Sequence, residues 1–346
     1  MQSENLSDFD EPPTENQARK PRSKKANLLI SIHAATFLLG VFVLGFVIYK
    51  IGYQKIIESV TAVGWGFFII VALNIVRHLL RSASLYLAVE PARRTFKYRS
   101  AVAARFGGEA VNFFSFTGPF LGDAAKAVLL RKNLPLTYGA SAVIFDSILY
   151  YLSVILVVLT GVAALVVAFG SGGKGVANAL ILIVVFSIIG FSLVILAITY
   201  RVTPFSFAIK WSAKRNLAPK FLIAKQQNIL DVENNVFQFY HNRRADFFKV
   251  FLISLSVHAV SVTEVYLALQ FLGFDALIST AFIIESLTKV INAVFSFIPG
   301  TIGVYEGGNG IILQMLGYTV AVGVALALVR RGAILLSTSI GVIILL

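Results

Sequence analysis

Apolar runs separated by basic loops dominate this chain, at about 27–49, 64–87, 138–169, 177–200, 247–272 and 319–346. Each is long enough to cross a bilayer as a helix, which takes about 20 residues. Two further stretches, 105–123 and 281–308, are apolar but carry charges at helical spacing. Glu285, Lys289, Asn292 and Ser296 fall at i, i+4, i+7 and i+11, a single stripe on a helix. Pro299-Gly300 then breaks the helix, and a second apolar segment follows with Glu306 near its start. Arg105, Glu109 and Asn112 make a similar stripe ahead of Gly118-Pro119, with Asp123 and Lys126 beyond the break.

The two stretches share an order: stripe, Phe-Ser-Phe (114–116 and 295–297), break, carboxylate. Glu285, Lys289 and Asn292 lie 180 positions after Arg105, Glu109 and Asn112, with the charge signs exchanged. This predicts a degenerate internal repeat, each copy a re-entrant hairpin that enters and leaves the membrane on one side. The expected fold is all-α, a polytopic transmembrane helix bundle with two such hairpins. If the hairpins face each other, Glu109 pairs with Lys289 and Arg105 with Glu285.

Mean hydropathy of +0.81, with 57% hydrophobic and 14% charged residues, excludes an ordinary soluble domain. The uninterrupted apolar runs also argue against a β-barrel, whose strands would alternate. The net charge of +13 is explained by basic cytoplasmic loops rather than by nucleic-acid binding. Residues 1–26 read as a disordered cytoplasmic tail, acidic first and basic later, and no cleavable signal peptide is expected. The membrane domain then occupies 27–346, with a basic cytoplasmic linker at about 201–245. Ile229, Val232 and Val236 suggest an amphipathic helix within that linker.

Catalytic chemistry finds little to start from. Cysteine is absent, and His33, His78, His241 and His258 show no metal-ligand spacing. His258 is expected to hold only a local hydrogen bond. Gly170–Gly175 fails as a phosphate loop and reads as a flexible turn. No enzyme activity, cofactor or metal is expected. Asp146 and Glu264 each suit either an ion pair with a neighbouring helix or a protonation site. Arg77 and Arg81 are expected to snorkel to the cytoplasmic surface, and Arg330-Arg331 to mark a basic break before the last span.

At the striped residues the chain resembles the membrane part of lysylphosphatidylglycerol synthases and their stand-alone, flippase-like relatives. The matching features are Gly108-Glu109-Ala110-Val111-Asn112, Gly118-Pro119 through Gly122-Asp123 with Lys126, and Pro299-Gly300 through Gly303 to Glu306. Arg330 also fits, and the likeness runs from about Lys25 to the C-terminus. The chain departs from the family at Ser115, where a proline often stands. The resemblance implies transbilayer movement of a polar or head-group-modified lipid in envelope biogenesis, without the synthase's aminoacyl-transferase. The expected head-group cavity is lined by Arg105, Glu109, Asn112, Asp123, Lys126, Glu285, Lys289, Asn292 and Glu306, with Arg330 and Arg331 binding phosphate at the cytoplasmic rim. The expected setting is the inner (plasma) membrane, multi-pass, with the N-terminus cytoplasmic and a phospholipid or other polar lipid as partner. A homodimer and association with lipid-modifying enzymes fit the same picture. Two other functions stay open: transport of a small ion or solute through the same cavity, and a non-transporting scaffold.

Overall fold

A computed structural model describes residues 53–115, 117–170, 174–215, 223 and 225–346. The tail and the first apolar run lie outside the described residues, as do Phe116, residues 171–173 of the Gly170–Gly175 turn, and Phe221 and Leu222. The described residues hold twelve α-helices and no strands. These are α1 (Tyr53–Val63), α2 (Gly66–Ala88), α3 (Tyr98–Phe113), α4 (Pro119–Leu130), α5 (Leu136–Phe169) and α6 (Lys174–Thr199). After them come α7 (Pro204–Lys214), α8 (Gln226–Asn242), α9 (Arg244–Phe271), α10 (Ile278–Val294), α11 (Val304–Met315) and α12 (Val320–Leu345). Five helices, α2, α5, α6, α9 and α12, are long and apolar enough to cross a membrane.

The five expected spans after the first fall on these helices, with one correction. Arg330-Arg331 does not interrupt the last apolar region, because α12 is continuous through both. The arginines are tolerated there because each finds a carboxylate on a neighbouring helix.

α2 and α9 form the centre and run antiparallel, with Gly66 against Phe271 at one end and Arg77 against Ser261 further along. Around them the contacts come in matched sets. α3 packs on α2 and α12, while α10 packs on α9 and α5; α4 packs on α5, and α11 on α12. α6 touches α5 and otherwise turns its apolar surface outward. The linker helix α8 buries Val236, Phe237 and Phe239, and packs on α5 and α7. Arg243, at its end, donates to the carbonyls of Leu87 and Val89, which ties the linker to the end of α2.

Lipid is as apolar as leucine, so burial of apolar surface contributes little to helix association in a membrane. Close backbone approach and satisfied polar contacts carry that role instead. Gly323 lies against the backbone of Asn309, and Gly341 against the carbonyl of Phe106, so a side chain at either would separate its helix from its neighbour.

Candidate functional site

The first hairpin is built from α3 and α4. Gly108 meets Gly122 and Lys126 while Gly107 meets Leu129, so the two helices run antiparallel. Between them Ser115 Oγ accepts from the Thr117 N–H at 3.0 Å, and Gly118 takes a left-handed φ of 64° ahead of Pro119. Only glycine adopts that geometry at no steric cost, which places the break. On α3, Arg105 pairs with Glu109 at 3.0 Å. On α4, Asp123 accepts from Lys126 at 2.7 Å and from Ser147 of α5 at 2.8 Å.

The second hairpin is built from α10 and α11, where Thr288 bonds Asn309 at 3.1 Å and Gly308 abuts Ile291. α10 ends at Val294, so Ser296 leaves the helical stripe predicted for it. The break that follows has positive φ at two residues: Gly300 takes 57° freely, whereas the β-branched Thr301 is strained at 51°. Arg331 of α12 holds the break by donating to the Gly300 carbonyl. Glu306 accepts the Gly303 N–H at 2.8 Å and the Arg331 Nε at 2.8 Å, so both of its oxygens are engaged. The breaks meet each other, Gly118 lying against Ser296 and Gly300 against Phe113.

The pairs expected between hairpins do not form. Arg105 takes Glu109, and Lys289 takes Glu285 at 2.6 Å, each partner one turn away on the same helix. Residues four apart on a helix already lie about 5–6 Å apart, so the local pair needs no further ordering. Instead, Glu285 reaches across to Arg330 at 2.9 Å. Arg330 also donates to Glu264 of α9 at 2.9 Å, and Arg77 of α2 approaches the other Glu264 oxygen at 3.6 Å. One chain of charges, Arg77–Glu264–Arg330–Glu285–Lys289, therefore ties together α2, α9, α12 and α10.

Five residues are placed differently from the sequence reading. Arg81 is buried rather than snorkelling, paired with Asp146 at 2.9 Å, with Ser84 also bonded to that carboxylate and the Tyr150 ring 4.0 Å from the guanidinium. Arg77 likewise points inward. Arg330 and Arg331 are fully enclosed in the middle of α12, away from any rim. Asp146 and Glu264 thus take the ion-pair alternative. His258 bonds across helices to Ser153 at 3.0 Å and stacks on Tyr150, in place of a local bond.

The candidate residues divide by access. Arg105, Lys126, Glu285, Glu306, Arg330 and Arg331 are buried, whereas Asn112 and Asn292 are half-buried. The Glu109 and Asp123 side chains are 30% and 23% exposed, and those of Arg77 and Lys289 17% and 12%, so these four carry the accessible charge. Sequence reasoning did not place Arg77, Arg81 or Asn74 among site residues. Asn74 is completely buried, with both amide atoms unpartnered among the described residues, one turn from Arg77. A separate cleft of about 270 Å³, lined by Glu90, Arg93, Tyr138, Asn235 and Arg243 among others, lies beneath α8 and shares no residue with the hairpins.

Helices of spanning length around a buried ionic network define a multi-pass α-helical membrane protein. Residues 29–341 match the model of the lysylphosphatidylglycerol synthase TM region, and the chain belongs to that family. No curated protein and no solved structure matches it.

Proposed function

We propose that this chain moves a polar lipid between the leaflets of the membrane, with the head group passing where the two hairpins meet. The observation that carries this is the contact between their broken tips. α4 and α11, at 12 residues each, extend about 18 Å, well short of the roughly 30 Å hydrocarbon core. The hairpins are therefore taken as re-entrant, ending at mid-membrane. The matched contact sets and the antiparallel α2 and α9 support an inverted internal repeat, α2–α5 against α9–α12.

The basic end, where Arg93, Arg94, Lys97 and Arg99 follow α2 and Arg243 and Arg244 precede α9, is assigned to the cytoplasm. The first hairpin then opens to the cytoplasm and the second to the opposite side, so one reaches the meeting point from each leaflet. In this scheme Glu109, Asn112, Asp123, Lys289 and Asn292 contact the head group. Arg105, Lys126, Glu285, Glu306, Arg330 and Arg331 hold the frame, and the acyl chains stay in lipid. Family membership supports a lipid as cargo; an inner-membrane location and transport rather than synthesis belong to the same proposal.

Reconstitution into liposomes with fluorescent phosphatidylglycerol tests it. Wild-type protein should make inner-leaflet label accessible to an impermeant quencher. Label protected as in protein-free vesicles would refute lipid movement, and uptake of a soluble ion with no lipid movement would favour a solute transporter.

A further inference from the structure

We infer that Arg77 and Lys289 together form an anion site for the phosphate of the transported lipid. The inference deepens the transport proposal by naming the charge its substrate carries.

It starts from charge balance. Four neighbouring pairs are each neutral: Arg81 with Asp146, Arg105 with Glu109, Lys126 with Asp123, and Arg331 with Glu306. The five-membered chain is not, since Arg77, Arg330 and Lys289 share only Glu264 and Glu285. Among the described residues one positive charge is uncompensated, in an interior where an unpaired ion is costly. The undescribed residues from 16 onward cannot supply the missing acid, because none of them is Asp or Glu.

The surplus is located by access. Arg330 is sealed between its two carboxylates, whereas Arg77 and Lys289 end the chain and are the two members with exposed surface. Arg77 is also the worst satisfied, reaching Glu264 at 3.6 Å and the Ser261 hydroxyl at 3.4 Å, both long for a guanidinium. Among the described residues, donor capacity is left over nearby: Arg330 Nη1 and Asn74 Nδ2 are buried with no hydrogen-bond partner, as are two acceptors, Asn74 Oδ1 and Glu264 Oε2. Buried polar groups in that condition point to a missing partner. A phosphate oxyanion fits, because it accepts several donors at once, and the guanidinium fork matches its geometry. Inorganic phosphate offers the same chemistry as a phospholipid head group, so the test separates them.

The full-length protein, purified in detergent, is melted with dihexanoylphosphatidylglycerol, with inorganic phosphate, or with dihexanoylglycerol, which lacks the phosphate. The phosphatidylglycerol should raise the wild-type melting temperature and dihexanoylglycerol should not. Arg77→Gln and Lys289→Gln should each weaken the apparent affinity by about tenfold or more, the loss of one charged hydrogen bond. Without ligand Arg77→Gln should melt at or above wild type, because it removes the surplus charge and breaks only long contacts; a purely structural ion pair predicts the opposite. If a glutamine variant does not fold, Arg77→Lys replaces it, and should fold and bind more weakly for want of the fork.

An equal shift from inorganic phosphate keeps the anion site but removes the lipid as its ligand. An undiminished ligand shift in both variants, or no shift from either phosphate compound, overturns the inference. Lipid movement in liposomes that is unchanged by Arg77→Gln also overturns it while transport itself stands. A phosphate-dependent shift in a protein that moves no lipid leaves the anion site standing and removes the transport proposal.

Discussion

Glu285→Gln is the sharpest perturbation of the buried network. The substitution is nearly isosteric, so it opens no cavity and isolates the electrostatic effect. Glu285 is about 1% exposed and accepts from Lys289 at 2.6 Å and Arg330 at 2.9 Å. Two charge-assisted hydrogen bonds at about 1.5–3 kcal/mol each give roughly 3–6 kcal/mol. Measured losses for removing one partner of a buried pair are about 3–5 kcal/mol. Arg330 keeps Glu264 and Lys289 has a partial route to solvent, so the lower part of the range, about 3–4 kcal/mol, is expected. Denaturant unfolding of the protein in mixed micelles gives the value. The double variant Glu285→Gln with Lys289→Met removes one charge of each sign, and should be more stable than the single variant by about 1–3 kcal/mol. A single variant within about 0.5 kcal/mol of wild type, or a double variant whose loss equals the sum of the two singles, would show that the network does not hold these helices together.

Other perturbations act on separate contacts. Arg331→Met orphans Glu306 and the Gly300 carbonyl, and should destabilise by about 3–5 kcal/mol in the same unfolding measurement. Asp146→Asn strands Arg81 beside Tyr150 and should cost a similar amount, about 3–5 kcal/mol; Arg81→Met added to it should recover part of that. Gly341→Ala presses a methyl group onto the Phe106 carbonyl and should cost about 1–3 kcal/mol through overpacking. Glu233 accepts from the Phe205 N–H at 2.8 Å and the Ser206 N–H at 3.2 Å, capping α7 from a neighbouring helix. Glu233→Gln should weaken that cap by about 1 kcal/mol, and limited proteolysis should cut faster within 201–243.

The spans were legible in the sequence because hydropathy and length act locally. The breaks at Gly118 and Gly300 were legible too, since Gly and Pro restrict the backbone whatever surrounds them. Partners far apart in sequence were not. Arg330-Arg331 looked like an interfacial break because two adjacent arginines are costly in a span. They sit inside one only because Glu264, Glu285 and Glu306 arrive from other helices. Arg77 and Arg81 were misplaced for the same reason, their acids lying on α9 and α5. A usable signal did exist: each acid within a span implies a buried cation, and Asp146 and Glu264 had no candidate partner on their own helices. The cross-hairpin pairs failed because the i, i+4 alternative was already in reach.

On the transport proposal, the contact of Phe113, Gly118, Ser296 and Gly300 sets how thick a wall the molecule presents to a head group. If each hairpin admits water from its own face, the insulating layer there shrinks to a few side chains. The energetic barrier to a charged group falls with the thickness of the apolar slab it must cross. Local parting of two tips, on the scale of a single residue, would then suffice to open a path, without the rocking of whole domains.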